Sequence, residues 1–417
     1  MNTNDKRVKY ACYVLNVSMS VVVNLSPLLF VTFHNNYGIS YSLLGLLVLV
    51  NFFTQLLIDL TLSFFSHKFN IAKTVKFIPV LTALGFVVYA VLPFFFPSAT
   101  YIGIIIGTVI FAASNGFAEV LLTPVVAGLP TKNPERETSK LHSIYAWGVV
   151  FVIVFGTLYL LIAGSNNWQY LVLIFALVPL VSVFLFSGTT LPKMETPKKV
   201  SGVMRLLKQK QLWLCVIAIF LGGASECTMG QWASSYLEQA LGIPKVWGDI
   251  LGVAVFSVFL GLGRSLYAKF GKNVEKVLLL SAIGSACCYL VVALINQPIV
   301  GLVGCAVTGF TVAMLWPGSL VVSTIRVPTG GVFTYAIMAA GGDFGASVGP
   351  QLVGVVTDLV STNSGMINLA TKLGLTATQL GLKVGMLAGA IFPILAIVVY
   401  AIILKTKKNT TIHLEET

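Results

Sequence analysis

The sequence predicts an all-α membrane protein with twelve transmembrane helices in two six-helix, pseudo-symmetric halves. The chain has 417 residues, of which 57% are hydrophobic and only 10% are charged, whereas soluble proteins average about 25% charged residues. Its apolar segments are about 20 residues long, as helical spans require, and lack the short alternating pattern of an outer-membrane barrel. Its basic residues gather in every second loop, which marks the cytoplasmic side of a membrane protein.

Twelve apolar segments are predicted to cross the membrane. In chain order they cover roughly 10–33, 42–66, 75–96, 102–129, 141–163, 168–187, 211–237, 247–268, 274–295, 298–322, 330–360 and 383–404. A helix rises about 1.5 Å per residue, so each segment can cross a hydrocarbon core of about 30 Å.

The net charge of +12 follows from membrane topology, because the basic residues are distributed by side. With both termini in the cytoplasm, 22 of the 26 lysine and arginine residues fall on the cytoplasmic side. Lys245, Lys372 and Lys383 fall on the other side, and Arg264 lies within a span. This is the positive-inside distribution of a multi-pass protein of the cell's inner (cytoplasmic) membrane. We therefore expect a lipid bilayer, and no nucleic acid, as a partner.

The polar, basic stretch 188–210 predicts a cytoplasmic linker between an N-terminal half, 1–187, and a C-terminal half, 211–417. A repeat supports this division, because "SHKFNIAKTV" follows the second span and "YAKFGKNVEKV" follows the eighth. Parallel halves of this kind are one plan of secondary transporters, in which the substrate site lies between the halves near the bilayer midplane.

Four acidic residues lie well inside the predicted spans, where a charge costs about 2.5–3.5 kcal/mol on insertion scales. Glu119, Glu226 and Asp343 lie near the middle of spans four, seven and eleven, and Asp59 lies near the cytoplasmic end of span two. We predict proton coupling by Glu119, Glu226 and Asp343, and gating by Asp59 and Arg264. A structural hydrogen bond between helices is the alternative for the acids.

Polar and aromatic side chains within the spans predict a substrate site. Asn115 lies one helical turn before Glu119 on the same face. A tryptophan inside a span can stack on the apolar face of a sugar and donate its indole N–H to a hydroxyl, and plain packing is the alternative. The predicted substrate-binding residues are Asn24, Asn115, Trp147, Gln231, Trp232, Tyr236 and Trp316.

The segment "NGFAEVLLTP", followed by "SKLHSIYAWG", resembles spans four and five of the fucose-permease-like sugar:proton symporters of the major facilitator superfamily. Their fourth span carries Gly-x-x-Glu-x-x-x-Asn-Pro, which corresponds here to Gly116, Glu119, Thr123 and Pro124, with threonine in place of asparagine. Spans seven and eight also resemble that family. They match at Glu226, Trp232, Tyr236, Gly263 and Arg264. The resemblance implies a major facilitator fold and proton-coupled sugar transport.

The sequence departs from that family at two places. In the first span, "VVNLSP" resembles a stretch that contains Asn-Asp in the family, but Asn24 is followed by Leu25, so this span offers no acid. In the loop after span two, His67 and Asn70 stand where the superfamily signature has aspartate and glycine.

The predicted function is secondary active transport of a small polar solute, a sugar or similar metabolite, by alternating access coupled to protons. In the coupling hypothesis, Glu119 exchanges the proton and Glu226 or Asp343 is its partner. The sequence has no P-loop, His/Cys metal cluster or soluble catalytic domain, so we expect no enzyme activity, no cofactor and no metal site. We expect a monomer with a small-molecule substrate.

The alternative function is proton-coupled export of drugs or organic cations, because an acidic, aromatic cavity also suits a lipophilic cation. A membrane scaffold or receptor is a third alternative, but it leaves the four acids within the spans unexplained.

Overall fold

The structure, a computed structural model, describes residues 2–65, 69–131, 134–192, 206–327 and 331–415. Most of the predicted linker and His67 of the repeat lie outside the described residues. Contacts divide the chain into two compact units, Met1–Val200 and Ser201–Thr417. Each unit is described by itself.

Unit 1 is helical throughout its described part. Its helices are α1 Thr3–Leu28, α2 Phe30–Tyr37, α3 Tyr41–Phe65, α4 Ile71–Phe95, α5 Thr100–Ala127, α6 Pro134–Ala163 and α7 Trp168–Phe186. The first predicted span comprises α1 and α2, which are separated at Leu29. Pro27 stands near that break and has no backbone N–H to donate.

Unit 2 has a similar series of helices with more interruptions. They are α8 Lys210–Gln239, α9 Val255–Phe270, α10 Val274–Leu294, α11 Pro298–Val312, α12 Leu315–Arg326, α13 Gly331–Thr362, α14 Ser364–Lys372, α15 Ala377–Gly389 and α16 Ile391–Glu415. A π-helical turn, Gly248–Ala254, leads into α9. The tenth predicted span comprises α11 and α12, and the twelfth comprises α15 and α16.

Eleven helical segments of the described chain are long and apolar enough to cross a membrane. They account for every predicted span except the eleventh. Helix α13, which occupies that position, has 32 residues and measures about 48 Å, but its glycines, Asp343 and Gln351 reduce its apolar content. The predicted all-helical, multi-pass membrane fold is confirmed.

The same pairs of spans pack together in both units. In unit 1, α1 packs on α6 and α7, α4 packs on α5 and α7, and α3 packs on α5. In unit 2, α8 packs on α13 and α16, α10 packs on α11 and α16, and α9 packs on α11. Each pair in unit 2 is a pair of unit 1 displaced by six spans. This correspondence is expected of a chain built from two repeats.

Glycine allows backbones to touch where these helices cross. A Cβ added to Gly107 of α5 would lie 2.5 Å from the Cα of Tyr89 in α4. A Cβ added to Gly345 of α13 would lie 2.0 Å from the carbonyl oxygen of Phe220 in α8. Small residues permit such close packing between membrane helices, and the packing of α13 on α8 depends on it.

A cluster of polar residues joins α1 to α6 around Glu137, which precedes the spanning segment Ser143–Ala163. The Glu137 carboxylate accepts hydrogen bonds from Tyr13 Oη and Lys140 Nζ, both at 2.8 Å, and Lys9 Nζ lies 3.4 Å away. Hydrogen bonding from Lys140, and then from Tyr13, lowers the pKa of Glu137 to about 2. The charged form of Glu137 is therefore stabilised by folding.

We expect this cluster to contribute stability that is lost in acid. The folded pKa of Glu137 is below its usual value of 4.5, so the contribution is complete above about pH 4.5 and disappears as pH falls towards about 2. Glu137→Gln should lower the free energy of unfolding by about 1 kcal/mol at neutral pH and reduce its dependence on acid. Denaturation of the detergent-purified protein over a pH series measures both effects. An identical acid dependence in the variant would contradict this assignment.

Candidate functional site

Helices α3 and α5 of unit 1 present polar side chains to each other. Helix α3 carries Asn51, Gln55 and Asp59 at four-residue intervals, and α5 carries Asn115 and Glu119 at the same interval. Residues four apart lie on one face of a helix. Two polar stripes therefore run along the packed pair, in segments that are otherwise mostly apolar.

The two stripes meet at two levels. Asn115 Nδ2 donates a hydrogen bond of 2.7 Å to Gln55 Oε1. A carboxylate oxygen of Asp59 and a carboxylate oxygen of Glu119 lie within 4.8 Å of each other. We call Asn51, Gln55 and Asn115 the amide cluster, and Asp59 and Glu119 the carboxyl pair.

Gly116 determines how closely α3 and α5 approach. A Cβ at this position would lie 3.0 Å from the backbone oxygen of Gln55. Glu119 stands eight residues before the end of α5, and Asp59 stands six residues before the end of α3. The carboxyl pair is therefore about 9–12 Å from those helix ends, and Glu119 is closer to the end of its span than the sequence had suggested.

The two members of the carboxyl pair differ in exposure. Asp59 is 3% exposed, whereas the Glu119 side chain is exposed. Two charged carboxylates at this separation repel by about 3 kcal/mol at an effective dielectric constant of about 20, and by less where water screens Glu119. Binding of one proton relieves that repulsion. Glu119 has accessible surface, and Asp59 is its buried neighbour.

The sequence had assigned Asp59 to gating and had not singled out Asn51 or Gln55. The signal for these two amides was present, because they precede Asp59 by eight and four residues in an apolar helix. What the sequence could not show is that α5 places Asn115 and Glu119 opposite them.

In unit 2, an ion pair joins two residues to which the sequence had assigned different functions. Arg264 Nη2 lies 3.1 Å from each carboxylate oxygen of Glu226, and Arg264 Nε donates to the carbonyl oxygen of Ala313 at 3.1 Å. The Ala313 carbonyl lies at the break between α11 and α12. Its helical partner would be the N–H four residues later, but that residue is Pro317, which has none. Arg264 therefore links α8, α9 and the broken tenth span, and Glu226 already has a cationic partner.

Trp232 and Tyr236, both predicted to bind substrate, use their polar atoms within unit 2. Trp232 Nε1 donates to the carbonyl oxygen of Pro350 at 2.9 Å, and Tyr236 Oη donates to that of Val292 at 2.5 Å. Both side chains are fully buried. Val292 is in the last turn of α10, where carbonyl groups lack helical partners. In this structure the two aromatic residues hold neighbouring helices together.

Trp147 and Trp316 retain accessible surface. Trp147, on α6, is 70% exposed. Trp316 is partly exposed, and its ring lies in a recess formed by Gly223 and Gly342, where an added Cβ would be 2.9 Å and 2.5 Å from ring atoms. Asp343 follows Gly342 directly and is 2% exposed. Both indole rings have surface available for stacking.

The two remaining predicted amides are buried. Asn24 donates from Nδ2 to the backbone oxygen of Ser20 in its own helix, at 2.9 Å. Gln231 is 5% exposed, and its Oε1 has no hydrogen-bond partner among the described residues. Gln231 thus retains acceptor capacity, whereas the amide donor of Asn24 is occupied locally.

Unit 2 also contains charged residues that the sequence had not selected. Asp249, 1% exposed, lies in the π-helical turn before α9, where it accepts a hydrogen bond from Ser234 and pairs with Lys245 at 3.1 Å. Lys383 had been placed at the start of the twelfth span, toward the non-cytoplasmic side. It lies inside α15, which begins at Ala377, and is 7% exposed, with Nζ 5.9 Å from the centre of the Tyr236 ring.

Comparison with known proteins gives one family. The family model described as the Major Facilitator Superfamily matches residues 10–350. No curated protein matches the chain. Solved structures with a similar fold share little sequence.

Three of these structures illustrate the similarity. A bacterial homologue of the human lysosomal transporter Spinster, in an inward-facing, unoccupied conformation, has a TM-score of 0.71 at 16% identity, covering 97% of this chain and 98% of that one. The nucleoside transporter NupG has a TM-score of 0.68 at 14% identity, covering 97% and 100%. The E. coli fucose:proton symporter FucP has a TM-score of 0.58 at 16% identity, covering 93% and 98%. At these identities the likeness shows the fold alone.

The ion pair of unit 2 predicts a specific pattern of stabilities. Arg264→Gln should lower the free energy of unfolding by about 1–3 kcal/mol, because it leaves the Glu226 carboxylate and the Ala313 carbonyl without this donor. The double variant with Glu226→Gln should lose less than the sum of the single changes. Chemical denaturation in detergent micelles measures this double-mutant cycle. Strict additivity would show that the two side chains do not interact.

Proposed function

Because this chain belongs to the major facilitator superfamily and is a secondary transporter, we propose that it moves a small neutral polyhydroxy solute, a sugar or similar metabolite, together with protons. The observation that carries this proposal is the carboxyl pair next to the amide cluster in unit 1. In this proposal the carboxyl pair provides a proton site, and the amide cluster provides uncharged hydrogen-bonding groups.

The coupling partner of Glu119 in this proposal is Asp59. Glu226 is engaged by Arg264 at 3.1 Å, whereas Asp59 and Glu119 have carboxylate oxygens within 4.8 Å of each other. A proton bound by the pair removes one negative charge from an apolar segment, which lowers the cost of moving the loaded carrier through its conformational change. Coupling requires only that the two transport conformations bind this proton with different affinity.

Trp147 and Trp316 are the stacking residues of the proposal, because both have accessible ring surface. Asp343 remains a candidate proton site next to the Trp316 recess. Gln231 is the candidate of unit 2 for hydrogen bonding to the solute, as the amide cluster is in unit 1. Trp232 and Tyr236 have a packing role in this proposal, through the carbonyls of Pro350 and Val292, and Asn24 donates within its own helix.

Export of an organic cation is the second candidate function, and the exposed carboxylate of Glu119 favours it. A lipophilic cation could pair with Glu119 and stack on an indole. The amide cluster favours a neutral solute instead, because amide groups provide donors as well as acceptors.

The charge of the ligand distinguishes these functions. We expect one class of neutral monosaccharide, polyol or nucleoside to raise the thermal unfolding midpoint of the purified protein, because a ligand that binds only the folded state stabilises it. The shift should differ between mildly acidic and mildly alkaline buffer. A shift given by lipophilic cations alone would reject the sugar proposal and support export.

Glu119→Gln should uncouple transport in proteoliposomes. The variant keeps a neutral side chain at this position, so we expect it to exchange internal for external solute but to lose uptake driven by a pH gradient. Glu226→Gln is the matched control, because it changes a glutamate in the middle of another span and should retain gradient-driven uptake. Loss of coupling in the control but not in Glu119→Gln would transfer the proton site to unit 2.

A further inference from the structure

The amide cluster contains hydrogen-bonding atoms that the protein leaves unused. Asn51, Gln55 and Asn115 are 5%, 1% and 3% exposed. Asn51 Oδ1, Gln55 Nε2 and Asn115 Oδ1 have no hydrogen-bond partner among the described residues. Burial of an unpaired polar atom is unfavourable, so three such atoms on two packed helices indicate that something else binds there.

The unpaired atoms include both a hydrogen-bond donor and hydrogen-bond acceptors. Gln55 contributes an NH2 group that can donate, and Asn51 and Asn115 each contribute an oxygen that can accept. Exchanging the amide nitrogen and oxygen of both Gln55 and Asn115 would reverse their mutual bond and would again leave one NH2 group and one oxygen free. The pair therefore offers one donor and one acceptor in either assignment.

We propose that the amide cluster is a hydroxyl-binding subsite, in which Asn51 and Gln55 help to select a neutral polyhydroxy ligand. A hydroxyl both donates and accepts, so neighbouring hydroxyls can satisfy the two oxygens and the NH2 group together. An ammonium group only donates and would leave the Gln55 NH2 group unpaired. A carboxylate only accepts and would leave both oxygens unpaired. A binding site discriminates against any ligand that leaves its buried hydrogen-bonding groups unpaired.

This inference rests on the proposed function and names the residues that would determine its specificity. The subsite is next to a position with accessible surface, because Glu119 is exposed and lies one helical turn after Asn115. A ligand bound to Asn115 therefore contacts the same face of α5 that carries the proton site. Binding of ligand and proton can be coupled through this single helix turn.

The test compares hydroxyl recognition in three variants of the full-length protein. Gln55→Met and Asn51→Leu replace amides by apolar side chains of similar size. Asn16→Leu is the matched control, because Asn16 is a buried amide of unit 1, 5% exposed, whose Nδ2 donates to the Leu141 carbonyl oxygen at 2.5 Å. The probes are neutral monosaccharides, their singly deoxygenated analogues and tetraphenylphosphonium as a cation.

We expect Gln55→Met and Asn51→Leu each to weaken binding of the preferred monosaccharide by about tenfold, which corresponds to about 1.4 kcal/mol. Binding of tetraphenylphosphonium should not weaken. The control should lower thermal stability and leave monosaccharide affinity unchanged. Titration calorimetry in detergent measures each affinity.

A comparison between parent sugar and deoxy analogue separates recognition from general damage to the fold. In the native protein, one deoxygenation should weaken binding by about tenfold, whereas in Gln55→Met the parent and that analogue should bind equally. If Gln55→Met does not fold, the same comparison is made with Gln55→Asn, which keeps an amide but shortens its reach.

Two results would overturn the subsite, and they are distinguishable. If the native protein binds monosaccharides and both variants bind them equally well, the amide cluster binds internal water only, and the proposed function stands. If the native protein binds no neutral probe and binds tetraphenylphosphonium, the proposed function fails and the subsite fails with it.

Discussion

The structure depends on one constraint: in a hydrocarbon environment, polar groups have to find partners inside the protein. The broken tenth span shows how this operates. A proline removes the N–H that would have met the Ala313 carbonyl, and Arg264 supplies a donor in its place while also pairing with Glu226. The last turn of α10 gives the same result, with Tyr236 donating to the Val292 carbonyl. In both cases a polar side chain donates to a backbone carbonyl that a helix break or a helix end leaves without its usual partner.

This constraint divides the polar residues of the membrane segments into two groups. Members of the first group use their donors on a backbone carbonyl or an ion-pair partner, as Trp232 and Arg264 do. Members of the second group are buried and retain unused capacity, as Asn51 and Gln55 do. The first group accounts for packing, and the second is where binding of solute or proton is to be sought. Burial alone does not separate the groups, because Trp232 and Gln55 are both almost completely buried.

The sequence was sufficient for the helical membrane fold, because long apolar segments have few alternatives in lipid. It was also sufficient to place Asn115 and Glu119 on one face of their helix, since helical periodicity relates residues within one span. Periodicity does not identify which helix lies opposite. Both pairings, Gln55 with Asn115 at a sequence separation of 60 and Glu226 with Arg264 at a separation of 38, were therefore not predictable from periodicity. Lys383, which the sequence places at the start of the twelfth span, lies further inside it, because α15 begins six residues earlier at Ala377.

The packing repeated between the units has a consequence for how such a protein can diversify. Equivalent pairs of spans meet in both copies, yet spans two and four carry facing amides and acids, whereas spans eight and ten are joined through Arg264 and a carbonyl group. The two units therefore share one packing pattern and carry independent side chains. Side chains along α3 and α5 can change while the other unit retains its own interhelical bonds, so one unit can acquire new chemistry without rebuilding the fold.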